Sequence, residues 1–402
     1  MRTVAFIQRR LPHYRLPLFS ALAAAAAKAG LAITFYSSEP PDPRLPADFP
    51  YRVCPPRRLS AASGGYWMSG LTRMVSGADI IIAPQEMRCL SVLWLWMRRR
   101  RVCRHWIWFG HGYNAKLATQ RARRHSIAER LREFVTPRSQ GIIAYTQGGA
   151  EFWRRRGMAE RRARWFNNTI DVEGFRRFYR PAKRQARLLK RELGIDDDHR
   201  ALLFCGRIYE AKRLDVLIDA FTILKRREPN IALLIVGDGP ERESAEAQAR
   251  ASGVAGMFFF GEIVDPEKLS TYFAAADALV IPGLVGLAVV QGFAFGLPLV
   301  ATNCKGHGPE FEYLTPDNGV VTALDPEAYA AGIGEVVAAD RLRRLKKEAW
   351  ATGTALSLPC SVDRFVAAIL GITGDETGEV RANWAASPEN ISAQRSPPRR
   401  SV

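Results

Sequence analysis

The sequence predicts an α/β protein made of two domains, each built around a parallel β-sheet. Short β-rich runs alternate with helical segments from the first residues onward, with a strand at 3–8, an alanine-rich helix at 16–27 and a second strand at 31–37. Strand–helix–strand units of this kind form parallel sheets, in which ligands lie beyond the carboxyl ends of the strands. The length of 402 residues suits two domains of ordinary size.

The rest of the first half continues this alternation. The proline-rich stretch 40–58 is predicted to be irregular, and Ser91 is predicted to be the N-cap of the helix that follows it. The chain is expected to cross into the second domain at 176–183. Predicted strands lie at 78–83, 105–109 and 141–145, and predicted helices at 92–101, 120–135 and 186–193.

The stretch 278–302 organises the second half. It indicates a buried strand, a Pro/Gly turn, an apolar helix at 286–295 and a second strand, with Gly296 at the helix C-cap and Pro298 beyond it. Gln291 is the one polar side chain of that helix, and a buried amide needs a hydrogen-bond partner from the protein or a ligand. The backbone N–H groups that begin the helix favour an anion. Further strands are predicted at 201–205, 231–236 and 257–260, and further helices at 269–276 and 361–370.

Composition narrows the setting of the protein. No run of about 18 apolar residues occurs, so we expect no transmembrane helix, and the apolar start is too short for a signal peptide. The six cysteines are scattered without a metal-ligand or CxxC spacing, which predicts reduced thiols in a cytoplasm. Residues 372–402 are rich in Ser, Pro and charge, and we expect a disordered tail.

Charge is distributed very unevenly along the chain. Residues 1–180 hold 32 Lys/Arg and 11 Asp/Glu, a net charge of +21, whereas residues 181–402 carry a net charge of −3. Arginines adjoin aromatic residues at 94–101 and at 152–156. This pattern predicts a peripheral contact with an anionic membrane surface, on the inner face of the cell membrane. A merely solvated arginine-rich face is the alternative, and nucleic acid is the least favoured partner, which we do not expect.

Several motifs resemble those of the family 4 (group 1) glycosyltransferases. Gly206, Arg207 and Lys212 keep the spacing of the family's G-R-x(4)-K element, with Arg213 in place of a glycine, and the loop at 9–15 resembles its R-x-P-H-Y-R opening. The stretch 278–302 resembles the family signature, but Gly283 and Gln291 replace its two glutamates. The resemblance implies the GT-B fold, with two Rossmann-like doubly wound domains facing a central cleft.

The resemblance also implies which residues bind the substrates. Arg207 and Lys212 are expected to hold the donor diphosphate and to stabilise the charge that develops on it. Gln291 is expected to bind the ribose. His111, between two glycines at the end of the 105–109 strand, is expected near the transferring carbon; a structural role is its alternative. The predicted site comprises catalytic His111, Arg207 and Lys212, donor-binding Gly206, Arg207, Lys212, Ile263, Gly286, Leu287 and Gln291, and acceptor-binding His13 and Arg15.

Three further groups are interpreted as structural or as weaker candidates. His13 and Arg15 have a plain cationic surface loop as their alternative. His307 is a weaker candidate for the cleft, and Glu310 is expected to hold a turn. The acidic run 196–198 precedes a strand and is predicted to form a turn and cap. We therefore expect no metal and no cofactor, with the nucleotide sugar acting as a substrate.

Together with these patterns, the resemblance implies a retaining, metal-independent bacterial enzyme that moves a hexosyl or pentosyl group. The donor would be a nucleotide sugar, and the acceptor a lipid-linked or membrane-bound glycan in cell-surface polysaccharide or glycolipid assembly. The missing glutamates favour one alternative, a catalytically silent GT-B binding subunit. A nucleotide-sugar epimerase of the same fold is another. The predicted domains are 1–180 for the acceptor, 181–355 for the donor, a helix at 356–371 that crosses back to the first domain, and the tail.

Overall fold

The computed structural model describes residues 1–59, 64–112 and 127–375. The chain forms two compact units, one of Met1–Ile170 with the segment that begins at Leu358, the other of Asp171–Ser357. The boundary expected between residues 180 and 181 therefore falls inside the second unit. Most of the predicted tail at 372–402 lies outside the described residues.

The first unit is organised around a seven-stranded parallel sheet. Its strand order is β3-β2-β1-β6-β7-β8-β9, and the antiparallel pair β4-β5 stands apart from it. The strands are β1 (Arg2–Gln8), β2 (Leu31–Ser37), β3 (Tyr51–Val53), β4 (Pro56–Arg58), β5 (Tyr66–Met68), β6 (Ile80–Pro84), β7 (His105–Gly110), β8 (Gly141–Ala144) and β9 (Ala163–Trp165). The helices are α1 (Leu16–Lys28), α2 (Leu71–Val75), α3 (Leu90–Met97), α4 (Arg99–Val102), α5 (Ile127–Val135), α6 (Gln147–Arg154) and the C-terminal helix (Leu358–Thr373).

Both faces of this sheet are buried, because successive strand residues point to opposite sides. On β1, Val4 and Phe6 join a core with α1 and the C-terminal helix. Ala5 and Ile7 join a second core that includes residues of α2, α3 and α6. The first unit is therefore a doubly wound α/β sheet, as the strand–helix alternation predicts.

The second unit has a six-stranded parallel sheet of order β12-β11-β10-β13-β14-β15. Its strands are β10 (Arg200–Cys205), β11 (Ile231–Val236), β12 (Met257–Phe259), β13 (Ala278–Ile281), β14 (Leu299–Thr302) and β15 (Gly319–Thr322). Its helices are α7 (Val172–Arg176), α8 (Tyr179–Glu192), α9 (Leu214–Arg227), α10 (Arg242–Ala251), α11 (Pro266–Ala275), α12 (Ala288–Ala294), α13 (Pro326–Val337) and α14 (Ala339–Ala355). Strand order reverses between β10 and β13 here, and between β1 and β6 in the first unit, and ligands of such sheets bind at these switch points.

The structure corrects several predicted elements. The stretch 40–58 is not wholly irregular, since it contributes β3 to the main sheet and β4 to the small one. Ser91 is not an N-cap: it lies inside α3, and its hydroxyl accepts a hydrogen bond from the Met68 N–H at 3.0 Å. The helix predicted at 92–101 is divided at Arg98 into α3 and α4. The predicted crossing at 176–183 is largely helical, because α8 begins at Tyr179.

Two findings concern the lengths of individual helices. Of the basic helix predicted at 120–135, the structure describes α5, and residues before Ile127 lie outside it. Within the described residues no single helix has the length and apolarity to cross a membrane, while α14 and the C-terminal helix, bent by 44°, meet that criterion only as a pair.

Candidate functional site

The candidate donor site lies where the loops after β10, β11 and β12 are hydrogen-bonded to one another. The Ile208 N–H donates to the Asp238 carbonyl at 2.8 Å, and the Gly237 N–H donates to the Gly261 carbonyl at 2.7 Å. A Cβ atom at Gly237 would overlap the Gly206 carbonyl oxygen, and one at Gly239 would overlap that of Ile208. The glycines after β11 are therefore required by backbone packing, which holds the Gly206–Ile208 loop in place.

Two cations follow β10 in this loop. Lys212 is 9% exposed, and its ammonium donates a hydrogen bond to the Leu284 carbonyl. Burial lowers the pKa of Lys212 to about 8, against the opposing attraction of Cys205, Cys304 and Glu310. The Arg207 side chain is exposed and makes no hydrogen bond or ion pair with any residue that the structure describes. The Lys212 ammonium is thus fixed in a buried position, whereas the exposed Arg207 guanidinium is available to a ligand.

The two predicted cation positions also share the switch point of the sheet with Gly283. Its N–H donates to the Lys212 carbonyl at 3.0 Å, and the next N–H, of Leu284, donates to the Ala211 carbonyl at 2.8 Å. A Cβ atom at Gly283 would overlap the Ala211 carbonyl oxygen. A side chain therefore does not fit at this position, which explains why glycine stands where the resembled family has its first glutamate.

Helix α12 begins just beyond this turn, within the predicted 286–295. Gly286 is open, with no atom within 4 Å of where its Cβ would stand. The N–H groups of Gly286, Leu287 and Ala288 donate to no acceptor in the described part of the chain. Gln291 is half-buried, and its side-chain amide has no hydrogen-bond partner among the described residues. These N–H groups can donate hydrogen bonds to an anion, and the Gln291 amide can form a hydrogen bond with a hydroxyl group.

The remaining candidates of the second unit have different surroundings. Ile263 is half-buried in the loop after β12. His307 is buried and structural: its Nδ1 accepts from the Val285 N–H at 3.1 Å, its Nε2 lies 2.9 Å from the Thr302 carbonyl, and its ring stacks on Phe311. Desolvation lowers the pKa of His307. Both ring nitrogens are thus used within the protein, and Glu310 is buried as well.

The candidate acceptor site gathers residues that follow three strands of the first sheet. The Arg15 guanidinium, 8% exposed, donates to the Tyr145 hydroxyl at 3.1 Å and lies 4.7 Å over its ring. The His111 ring lies 4.7 Å from the same tyrosine ring. Arg15 and His111, predicted separately, are therefore joined through Tyr145. The side chain of His13, in the 3₁₀ turn His13–Arg15, lies outside the described part.

His111 is held neutral at physiological pH. Desolvation, followed by the positive charges of Arg15 and Arg132, lowers the pKa of His111 to about 4, although the side chain remains exposed. The glycine after it has a structural cause: a Cβ atom at Gly112 would lie 2.5 Å from the Gly149 carbonyl oxygen of α6. The close backbone approach at this glycine is thus made to α6 of the same unit.

Sequence reasoning missed Tyr145 as a site residue. It directly follows β8, as His111 directly follows β7, and this shared position at neighbouring strand ends is the signal that points to it. Gln85, after β6, donates from its side chain to the Thr136 hydroxyl at 3.0 Å and packs beside Gly110. The switch point of the first sheet therefore carries more polar groups than the predicted pair His13 and Arg15.

The acidic run before β10 has the surroundings of a turn. Asp196, Asp198 and His199 place their ligand atoms within 4.8 Å of one another, and Asp196 and Asp198 are exposed. Asp198 accepts from the Asn230 amide at 2.6 Å and lies 3.2 Å from His199 Nδ1. These bonds link the turn to the loop before β11, away from the carboxyl ends of the strands.

Comparison with known proteins identifies the class. The family model of glycosyl transferases group 1 matches residues 185–350. The structure of Anabaena Alr3699/HepE in complex with UDP superposes with a TM-score of 0.67 and 16% identity, covering 92% of this chain and 99% of that one. The fold is therefore that of GT-B glycosyltransferases, and residues 185–350, most of the second unit, are similar to the group 1 family.

Individual relatives cover less of the chain. A D-inositol 3-phosphate glycosyltransferase of Segniliparus rotundus is 30% identical over 198 residues, 47% of this chain and 43% of the relative. A GDP-mannose-dependent α-(1-6)-phosphatidylinositol monomannoside mannosyltransferase of Mycolicibacterium smegmatis is 31% identical over 164 residues, 38% of this chain and 42% of the relative. The similarity thus spans less than half the length of these relatives.

Proposed function

We propose that the protein is a family 4 glycosyltransferase that transfers a sugar from a nucleotide sugar to a lipid-linked or membrane-bound glycan. The transfer retains the anomeric configuration, needs no metal, and serves cell-surface polysaccharide or glycolipid assembly. One observation carries the proposal: at the switch point of the second sheet, the buried Lys212 ammonium is fixed to the turn before α12, while the Arg207 side chain has no partner among the described residues.

This pair suits a diphosphate. The leaving nucleoside diphosphate gains negative charge as the sugar departs, and preorganised cations and N–H groups stabilise that charge without a metal. Arg207 offers a planar fork, Lys212 a point charge whose desolvation an anion relieves. The unbonded N–H groups of Gly286 and Leu287 add donors. Gln291 offers an amide oxygen to a ribose hydroxyl, and Ile263 an apolar contact to the base.

The acceptor is assigned to the carboxyl ends of the strands in the first unit. Arg15 and His13 would bind an anionic or hydroxyl-rich glycan, and His111 is the candidate catalytic side chain. The acceptor oxygen bonds to the anomeric carbon, the bond from that carbon to the phosphate oxygen breaks, and the acceptor's proton passes to the leaving phosphate. Neutral His111 can orient a hydroxyl but does not serve as a cationic acid at physiological pH.

The proposed membrane contact is supported by exposed apolar groups next to arginines in the first unit. Trp94 and Phe134 are 38% and 50% exposed. The Arg98 guanidinium lies 4.5 Å over the Trp94 ring, and that of Arg138 lies 4.0 Å over the Phe134 ring. Aromatic and cationic side chains together favour a membrane interface, and one relative acts on a phosphatidylinositol mannoside. We therefore propose a peripheral location on the inner face of the cell membrane.

The donor is found by thermal unfolding with UDP-, GDP-, dTDP- and ADP-sugars. A true donor at one hundred times its dissociation constant should stabilise the protein by about 2.7 kcal/mol. The stabilising sugar nucleotide is then incubated with bacterial lipid extract, and transfer is followed by mass spectrometry of the lipids.

Each result of this experiment decides between the proposal and its alternatives. A glycosylated lipid with retained configuration supports the proposal. Binding without turnover on any extract would favour a silent binding subunit, and conversion of the donor sugar without an acceptor would favour an epimerase. Absence of any stabilising sugar nucleotide would refute the donor site itself.

A further inference from the structure

A second cationic site lies in the first unit, at the amino ends of the strands, whereas the candidate acceptor site lies at their carboxyl ends. It is a cavity of about 730 Å³ lined by the start of β7, by α4, by the loops before β8 and β9, and by the end of the C-terminal helix. His105 is the first residue of β7 and His111 follows its last. The two ends of the strands are therefore roughly 20 Å apart, at about 3.3 Å for each strand residue.

The lining of this cavity is strongly basic. Among the described residues that line it, there is no aspartate or glutamate. Asp79 and Asp375 act on the lining residue His105 from beside the cavity, and they are already bonded to Thr3 and Arg2. The six lining arginines are Arg99, Arg100, Arg104, Arg138, Arg161 and Arg162.

Three of these arginines are fixed by carbonyl groups and rings, which orient them without neutralising their charge. Arg162 donates to the carbonyls of Pro137, Ser139 and Gln140. Arg99 donates to the Trp96 and Arg138 carbonyls and lies 4.2 Å over the Trp96 ring. The cavity wall is thus preorganised around cations.

The wall itself is held by a buried hydroxyl. Ser139 accepts hydrogen bonds from the indole N–H groups of Trp96 and Trp108, each at 2.8 Å, and donates to the Val135 carbonyl. This hydroxyl therefore ties the loop before β8 to α3, β7 and α5, and Arg138 of that loop lies next to it in the chain.

The other three arginines are available to a ligand. The side chains of Arg100, Arg104 and Arg161 are exposed and make no hydrogen bond or ion pair with the residues that the structure describes. Arg100 stands beside Arg99, and Asp79, the carboxylate that interacts with Arg104, is already hydrogen-bonded to Thr3, so positive charge exceeds negative charge here. An anion that bridges these guanidinium groups would relieve the repulsion, and phosphate oxygens fit their fork geometry.

We propose that this cavity binds a phosphate ester, as a second anion site separate from donor and acceptor. Its volume is in the range of pockets for small organic ligands rather than single ions. The phosphate can belong to a lipid headgroup or to a soluble molecule, since both present the same chemistry. This inference does not rest on the proposed donor and acceptor sites, because it uses none of their residues, and it shares only Arg138 with the proposed membrane contact.

The test compares two triple variants of equal charge change. Arg100→Gln/Arg104→Gln/Arg161→Gln removes the three available cations of the cavity. Arg57→Gln/Arg58→Gln/Arg73→Gln removes three exposed arginines of the same unit that do not line it. Binding is measured with soluble glycerol 3-phosphate and with phosphatidylcholine vesicles that contain phosphatidic acid.

We expect the cavity variant to bind at least about 30-fold more weakly, and the control variant to change by less than about 3-fold. Saturable binding of glycerol 3-phosphate assigns the site to soluble phosphates, and binding of the vesicles alone assigns it to a headgroup. Hydrogen exchange should show ligand protection at 99–106 and 137–140. Equal weakening in both variants, protection elsewhere, or no binding of either probe would overturn the proposal.

Discussion

The two units share a doubly wound parallel sheet but build their strand-end surfaces differently. In the first unit, side chains that follow separate strands meet: Arg15 and His111 both contact Tyr145. In the second unit the surface is mainly backbone, with loops joined by hydrogen bonds and by glycines that a side chain would displace. A backbone surface suits a constant group such as a diphosphate, whereas a side-chain surface can be adapted to one acceptor.

Charge follows the same division. Residues 1–180 carry a net charge of +21 and residues 181–402 a net charge of −3. In the second unit the positive charge of the proposed site is confined to Arg207 and Lys212. The first unit has cations at both ends of its strands. This charge distribution suits a small anion in the second unit and extended anionic partners in the first unit, as we propose above.

The largest expected effect concerns the buried cation of the second unit. Lys212→Met should lower turnover by about 10²- to 10³-fold, because it removes a fixed positive charge from the leaving diphosphate. Steady-state kinetics with the identified donor measure the loss. Lys268→Met, at an exposed position of α11, is the control and should retain activity. Unchanged turnover in the Lys212 variant would contradict the assignment.

The next prediction concerns the cavity wall in the first unit. Ser139→Ala leaves the indole N–H groups of Trp96 and Trp108 without an acceptor. We expect a loss of about 2–3 kcal/mol in the free energy of unfolding, since each unpaired buried donor carries a desolvation cost. Denaturant unfolding measures it, and Ser76→Ala, an exposed hydroxyl, is the control. A loss below that of the control would show that the wall does not depend on this hydroxyl.

A third prediction separates two glycines of the same turn. Gly283→Ala should destabilise the second unit by about 1–3 kcal/mol, because its Cβ would overlap the Ala211 carbonyl. Gly286→Ala, where space is open, should change stability by less than about 1 kcal/mol. Chemical denaturation of both variants gives the comparison. Gly283→Glu, which restores the resembled family's residue, should behave like Gly283→Ala; greater stability in either variant would refute the steric explanation.

The fourth prediction is a pH dependence of donor binding. Burial lowers the pKa of Lys212 to about 8, and a bound diphosphate favours its protonated form, so binding takes up a proton above that pH. The dissociation constant should be constant below pH 8 and rise by about tenfold per pH unit above it. Calorimetric titration between pH 6.5 and 9.5 tests this. The Lys212→Met variant should show no such rise, and a rise of equal slope there would assign the effect to another group.

The smallest expected effect concerns backbone strain. Arg213 has a φ of 55°, in the left-handed region, where a non-glycine residue costs about 1–2 kcal/mol. Its ion pair with Asp215 is largely exposed and contributes about 0–1 kcal/mol. Arg213→Gly should therefore stabilise the protein by about 0.5–1 kcal/mol in urea unfolding. Asn167→Gly, with a φ of 62°, should gain less because asparagine tolerates this conformation; a destabilised Arg213→Gly would reverse the balance.

Sequence patterns predicted the central strands closely. The strand at 31–37 was predicted with its observed bounds, and β1, β10 and β11 differ from prediction by at most one residue at either end. These runs are short, largely apolar and contiguous, and length and composition rather than period identify them as buried strands. The short strands β3 and β4 were missed because their residues are proline-rich and exposed, and only pairing with a neighbouring strand makes them extended.

The candidate site was predictable where it is local in the chain. Gly206, Arg207 and Lys212 follow one strand, and the structure keeps them in one loop and turn. The reason that position 283 requires glycine was not predictable. The carbonyl that a side chain would overlap belongs to Ala211, which is far away in the sequence. His307 shows the converse, because its buried hydrogen bonds exclude the cleft role that its position had suggested.

The sequence by itself determined the alternation of strands and helices, the division of charge between the two halves and the cation spacing after β10. Each of these is a property of neighbouring residues, and local periodicity and composition are enough to fix it. The tertiary structure decided which strand ends adjoin, and so brought Arg15 to Tyr145 and six arginines around one cavity. Such groupings join residues far apart in the chain, and packing of the sheet and helices is what brings them together.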